Sequence, residues 1–250
     1  MSTLTLFLAW QEPRTRAWYP VGRLAYDGEK YQFVYTVGAR AAQRAQGFQP
    51  LPSFPDLENV YESDEFFPLF ANRLLPRSTA EYADFVKWLD LPQHQDDPIA
   101  LLARSGGRQA TDTFEVFPSP EPDESGQYHI HFFAHGLRHL PGAAIERIHR
   151  LQPDQPLMLI HDFQNPADSH ALMLRTEDCY NIGYCPRYLL DDLFKLITRD
   201  PYLLHVAVER VNLPPAPLQL RLLCNLTARW PDGFEPFADE MYQPLTVKGR

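Results

Sequence analysis

The sequence predicts an α+β chain of two domains. Three observations lead there. Short runs of alternating apolar and polar residues recur in both halves, interleaved with segments of helical period. A stretch rich in Pro, Glu, Asp and Ser, residues 118–126, separates the halves. The 250 residues, 44% of them hydrophobic, suffice for two domains of ordinary size. Pro is high, at 24 residues, and many of these prolines punctuate candidate strands and helices instead of gathering in one tail.

In the first half, residues 3–10 and 18–26 read as strands. Asp27-Gly28 is a tight-turn signal, and residues 31–37 follow as a β-rich segment, so the second and third segments form a hairpin. Its aromatic face, Phe33 and Tyr35, needs a covering layer. Residues 39–46 suit a short helix, and residues 48–55 are turn-rich. A dense apolar run, residues 66–76, precedes a helix over residues 80–89 with Tyr82, Phe85, Val86 and Leu89 on one stripe. Asp97-Pro98 has the residue types that open a helix over residues 99–103. Ser105-Gly106-Gly107-Arg108 ends it, and residues 113–117 make a strand. The two glycines lack the Lys and hydroxyl ligand that a phosphate loop needs and suit a helix-terminating turn.

This half resembles the N-terminal subdomain of HipA-like toxin kinases. The likeness rests on Val21-Gly22-Arg23-Leu24, Phe33-Val34-Tyr35, the Phe-Phe…Asn…Leu-Leu-Pro pattern of residues 66–76, and residues 101–107. It implies a small β-sheet with helices over residues 1–118 that contributes to partner contacts. The kinase lobe that would follow is missing from the sequence: no His-x-Asp with a downstream Asn and metal-binding Asp is found. Kinase activity is therefore not expected.

After residues 119–126, expected as a linker, residues 128–134 read as a strand with His129 and His131 on one face and Ile130 and Phe132 on the other. A helix over residues 141–151, strands at residues 157–160, 171–175 and 180–184, an amphipathic helix over residues 188–197 and strands at residues 203–211 and 218–226 complete the half. Residues 162–168 form a loop. The arrangement resembles the HIRAN domain, found fused to some helicase-like remodelling proteins and also in bacterial proteins without a helicase. The residues that carry the likeness are Gly136-Leu137-Arg138-His139, Asn165-Pro166-x-Asp168 with Ala171, and Ile182-Gly183-Tyr184-x-Pro186. What it implies for residues 127–250 is a modified small β-barrel with two helices and a C-terminal extension. It also implies binding of single-stranded DNA, in eukaryotic members at a free 3′ end.

Arg138, Asn165 and Asp168 match positions used in that family. Arg138 can pair with a phosphate or base edge through its planar fork. Asn165 offers donor and acceptor together, and Asp168 can accept a hydrogen bond from a terminal hydroxyl. Asn165 before Pro166 is also a turn starter, and Asp168 also suits organising its own loop, so both readings stay open. His139 and Ala167 stand where the family usually has aromatic residues. His139 can stack in part, and Phe163 or Tyr184 can offer a stacking platform from elsewhere.

Charge and composition bound the alternatives. The net charge is −9; residues 1–120 hold 11 Lys/Arg and 15 Asp/Glu, and residues 121–250 hold 12 and 17. Neither half is a basic module that would coat duplex DNA, whereas gripping an end or loop needs only a local positive patch. Cys179, Cys185 and Cys224 form no disulfide framework and fit a reducing cytoplasm. The first residues do not have the pattern of a signal peptide, and no apolar run is long enough to span a bilayer. Eight of the nine histidines lie between His129 and His205, yet no Cys or acidic spacing completes a zinc pattern, so neither metal nor cofactor is expected. Nor is catalysis. The tail, residues 230–242, reads as an irregular wrap, or as an exposed aromatic patch for a protein partner. The expected function is thus nucleic-acid binding without catalysis. A protein-interaction module related to toxin–antitoxin assemblies and a metal-dependent hydrolase are the competing classes.

Overall fold

The period-2 segments of the first half fold as expected. The computed structural model describes residues 4–91, 97–109, 111–229 and 233–246. Strands β1 (Leu4–Gln11), β2 (Trp18–Tyr26) and β3 (Tyr31–Tyr35) form an antiparallel meander. The Asp27 carboxylate closes the hairpin by accepting from the backbone N–H groups of Glu29 and Lys30 at 2.9 and 2.8 Å. Across it Tyr26 stacks on Tyr31, with centroids 4.4 Å apart. Helix α1 (Val37–Gln46) ends at Gly47, whose φ of 72° supplies a left-handed cap. Strand β4 (Val60–Ser63) carries no strand signal in the sequence; it is only four residues long and pairs with β3 at the sheet edge.

The apolar run of residues 66–76 holds one short helix, α2 (Pro68–Ala71), and helix α3 (Tyr82–Leu89) follows. Helix α4 (Pro98–Ser105) starts as its residue types dictate: Asp97 caps it through the N–H groups of Ile99 and Ala100, and Pro98 occupies the first turn. Gly106, at φ 75°, terminates it by donating to the Leu102 carbonyl. The Gly-Gly pair is thus a helix stop. Strand β5 (Phe114–Pro118) pairs with β1, giving a five-stranded sheet of order β4-β3-β2-β1-β5.

Internal contacts divide the chain into two units. The first contains residues 1–82, 91–119 and 235–250; the second contains residues 83–90 and 120–234. The first unit's core packs Leu6, Leu8, Leu24, Phe33, Tyr35, Phe54 and Phe70. Phe66 and Leu74 pack against it, so the Phe-Phe…Leu-Leu-Pro pattern serves core packing. The division differs from the expected boundaries at two places. Residues 83–90 group with the second unit, where Asn212 donates to the Trp88 carbonyl at 2.9 Å and Arg210 pairs with Asp90. The tail was expected with the second domain. Instead Phe237 is buried in the first unit, against Phe7 and Phe117 at 5.4 and 5.3 Å, and Leu245 donates to the Tyr35 carbonyl. Phe237 and Tyr242 cover Phe7 on the second face of the first sheet, and Phe237 offers no surface to a partner. Trp230 lies outside the described residues.

The second unit begins with an ordered turn. The Asp123 carboxylate accepts from Ser125 and from the Gln127 N–H, and these bonds, the Ser125 hydroxyl foremost, hold its pKa at about 2. Strand β6 (Gln127–Phe133) buries Tyr128, Ile130 and Phe132 and turns His129 and His131 outward, as alternation predicts. There follow helix α5 (Gly142–Ile148) and strands β7 (Pro156–His161), β8 (Leu172–Arg175) and β9 (Asn181–Tyr184). Helix α6 (Leu190–Arg199) and strands β10 (Leu204–Val211) and β11 (Leu222–Arg229) complete the unit. The last strand begins four residues later than predicted, because residues Leu218–Leu220 form a 3-10 turn after Pro217. The sheet order is β6-β11-β10-β7-β8-β9. The sheet curls until its two ends meet: His135, just past β6, and Tyr184 of β9 exchange backbone hydrogen bonds at 2.9 and 3.0 Å. Leu190, Leu193 and Leu196 of α6 are buried, as the amphipathic pattern predicts. Among the described residues no helix is long and apolar enough to cross a membrane.

Tyr35 gives a test of the first unit. Its hydroxyl is fully buried, accepts from the Leu51 N–H and donates to the Phe54 carbonyl, both at 2.7 Å. Burial pushes its pKa up to about 12. Above the ordinary tyrosine value the unfolded chain ionises while the folded chain still holds the proton. The stability Tyr35 contributes is therefore whole below about pH 10 and is lost as pH rises through about 12. Tyr35→Phe is expected to lose about 1–3 kcal/mol at neutral pH, because a buried N–H and a buried carbonyl lose their partner, and to flatten that alkaline decline. Denaturant unfolding across pH checks both.

Candidate nucleic-acid interface

Three segments build the site: the turn after β6, the loop between β7 and β8, and the end of β9 with the residues that follow. Two glycines let them come together. Gly183 has a φ of 131°, and a Cβ there would lie 2.9 Å from the His135 carbonyl oxygen and 3.0 Å from Leu137. Gly136 has a φ of 77°, and a Cβ there would lie 3.1 Å from the Tyr184 ring. Both positions thus require glycine for backbone shape and for close approach. Immediately beyond Gly136 a 3-10 turn (Leu137–His139) buries Leu137 and leaves Arg138 and His139 exposed. The Arg138 Nε donates to His139 Nε2 at 2.9 Å, so the two side chains act as a pair.

The β7–β8 loop is held by its own polar side chains. Asn165 Oδ1 accepts from the N–H groups of Ala167 and Asp168 at 2.9 and 3.2 Å, which is the local turn that Asn before Pro favours. Its Nδ2 donates to Asp162 at 3.1 Å. Asp162 also accepts from the Tyr184 hydroxyl at 3.0 Å, tying the loop to β9. Burial, then the neighbouring Asp162 carboxylate, push the Tyr184 hydroxyl above its ordinary pKa, and a hydrogen bond with Asn165 opposes them. Asp168 accepts from the His170 N–H at 3.0 Å and is ion-paired with Arg187 Nε at 2.5 Å. Arg187 also donates to the Ala167 carbonyl at 2.7 Å.

The predicted residues therefore sort into roles. Asn165, Asp168 and Tyr184 belong to one hydrogen-bonded framework through Asp162 and Arg187. Tyr184 is half-buried with its hydroxyl engaged and its ring against Gly136, so it is a strut more than a platform. Phe163 is 74% exposed and carries the open ring surface of this loop. Arg138 and His139 present their polar groups to solvent on the neighbouring turn. Sequence reasoning missed Asp162 and Arg187. The cue was available: an Arg directly after Gly-Tyr-x-Pro faces a loop with two Asp residues, but the pairing requires the β9 end to lie beside the β7–β8 loop.

His129 and His131, neighbours on one strand face, turn to separate carboxylates. His129 pairs with Asp123 at 3.1 Å and His131 with Glu209 at 3.4 Å. Among the described residues no group of three or more His, Cys, Asp or Glu is placed to hold a metal ion. Cys185 and Cys224 are buried, which pushes both thiols up, away from the reactive thiolate.

A curled six-stranded sheet closed on itself, with its polar residues gathered in loops at one seam, defines a small-barrel domain. Residues 127–230 match the family model of the HIRAN domain, and this part of the chain is a HIRAN domain. Two solved structures are similar. One is a protein from Lactobacillus plantarum, at 17% identity and a TM-score of 0.31, covering 41% of this chain and 99% of that one. The other is the HIRAN domain of human HLTF, at 19% identity and a TM-score of 0.30, covering 41% of this chain and 74% of that one. No curated protein matches. The expected likeness of the first half to the N-terminal subdomain of HipA-like kinases gains no support from these comparisons.

Removing Arg187 or Asn165 tests the framework. Arg187→Ala leaves the Asp168 carboxylate without its cation and is expected to cost about 1–3 kcal/mol. Asn165→Ala releases two N–H groups and is expected to cost about 1–2 kcal/mol. Equilibrium unfolding of each variant gives the values. Loss of both residues should cost less than the sum, because they brace one loop.

Proposed function

We propose that the HIRAN domain of this chain binds nucleic acid without catalysis and takes single-stranded DNA at a free end. The match of residues 127–230 to the HIRAN family is the observation that carries this reading. The loop framework supports it. Arg138 is exposed on a turn beside the loop and keeps guanidinium donors beyond the one it gives to His139, enough to meet a phosphate or a base edge. Asp168 Oδ1 accepts from the His170 N–H and Oδ2 from Arg187, and a carboxylate oxygen can accept more than one hydrogen bond, so a terminal 3′-hydroxyl has an acceptor there. Arg187 beside it offsets the negative charge that would otherwise repel the strand. Asn165 acts on the ligand through the loop it shapes.

An overall charge of −9 makes this local grip, not the long-range field, the source of affinity. Binding should weaken with salt, but less steeply than for a basic coating protein, because few phosphates are neutralised.

Fluorescence anisotropy with short labelled oligonucleotides tests the reading. Single-stranded DNA with a 3′-hydroxyl is expected to bind more tightly than the same strand with a 3′-phosphate, and both more tightly than blunt duplex. Arg138→Ala is expected to weaken binding roughly tenfold or more with the fold unchanged. Absence of binding to every oligonucleotide at low salt would overturn the proposal.

A further inference from the structure

Phe163 lies outside the hydrophobic core. It sits in the β7–β8 loop with 74% of its surface exposed, while the neighbouring Asp162 and Asn165 are tied into the loop framework. It is nevertheless held in place. Its ring lies 3.7 Å, centroid to centroid, from the His161 imidazole at an interplanar angle of 38°. His161 is itself fixed: its Nε2 donates to the Ser169 carbonyl on the far side of the loop at 2.8 Å. Phe194 of α6 packs edge-on against His161 at 5.0 Å and against His170 at 6.1 Å. One face of the phenyl ring thus rests on a braced imidazole, and most of the remaining surface is open to water.

We propose that Phe163, seated on His161, is a stacking platform for one unpaired base. This rests on the reading of the domain as a nucleic-acid binder. The size and surroundings of the surface select the occupant. Among the described residues Phe163 is the large exposed apolar side chain of residues 162–171, so the open surface is about one ring wide. Docking a protein needs a broader apolar area. A nucleobase is a flat ring with a hydrogen-bonding rim. The phenyl face meets its plane, and the exposed imidazole of His170, 6.4 Å from that of His161 in the same loop, is a polar group suited to its rim. Stacking of this kind tolerates any base, so the platform adds affinity without choosing sequence.

The test compares Phe163→Ala, Phe163→Leu and Phe163→Trp with the wild type, by anisotropy on single-stranded oligonucleotides. An exposed ring can be removed without loss of core, so thermal unfolding of all three should match the wild type. Phe163→Ala and Phe163→Leu are expected to bind about tenfold more weakly, and Phe163→Trp as well as the wild type or better. A series of strands with a single abasic nucleotide moved along the chain should contain one position at which the alanine penalty disappears. If the wild type binds and Phe163→Ala binds equally well, the platform is refuted while the nucleic-acid reading stands. Equal losses for alanine, leucine and tryptophan would also refute it. A wild type that binds no strand refutes both.

Discussion

The candidate site depends on the meeting of His135 with Tyr184. A six-stranded sheet of order β6-β11-β10-β7-β8-β9 has two edges, and unpaired edges leave backbone donors and acceptors without partners. Curling until the chain just past β6 reaches β9 satisfies both groups at that point, through two bonds of 2.9 and 3.0 Å. The closure brings the Arg138–His139 turn, which follows His135 by three residues, to the seam occupied by the end of β9. Only residues without a Cβ fit there. Gly183 would otherwise press on the His135 carbonyl, and Gly136 on the Tyr184 ring.

Around that seam the polar side chains brace one another before they meet any ligand. Asp162 collects the Tyr184 hydroxyl and the Asn165 amide, and Asp168 collects Arg187 and the His170 N–H. A loop that carries two carboxylates would repel a nucleic acid if both were bare. Here one is hydrogen-bonded to neutral donors and the other is ion-paired. The cost of ordering the loop is met within the protein, so less entropy remains to be lost on binding. The Arg138–His139 pair, the Phe163 ring and the His170 imidazole stay exposed.

The first unit follows a different logic. Its sheet is covered on one face by Phe54 and by helices α1, α2 and α4, and Phe7 on the other face is covered by Phe237 and Tyr242 of the C-terminal segment. The chain thus leaves this unit at Ser119 and returns to it at Glu235. Nothing in local sequence marks such a return. Phe237 reads equally well as an exposed anchor or as a core residue, because aromatic spacing among Pro and Asp does not state what lies underneath.

Much of the fold was legible because its signals are local. Asp27-Gly28 specified a turn, Asp97-Pro98 a helix start and Gly106 its stop, each by the conformations those residues allow. Alternation at Tyr128–Ile130–Phe132 and the leucine stripe of α6 specified which faces are buried. The resemblance of residues 136–139, 165–168 and 182–186 to the HIRAN domain identified the domain that the family match places at residues 127–230. What the sequence could not decide were pairings between distant residues. The short edge strand β4, the ion pair of Asp168 with Arg187 and the hydrogen bond of Tyr184 to Asp162 span 19 to 22 residues or depend on a neighbouring strand. The same holds for the roles of Asn165 and Phe163, one drawn into the loop and the other left on its surface. Backbone preference and periodicity act within a few residues. Which side chain is consumed by the framework and which is left open is set only when the sheet closes.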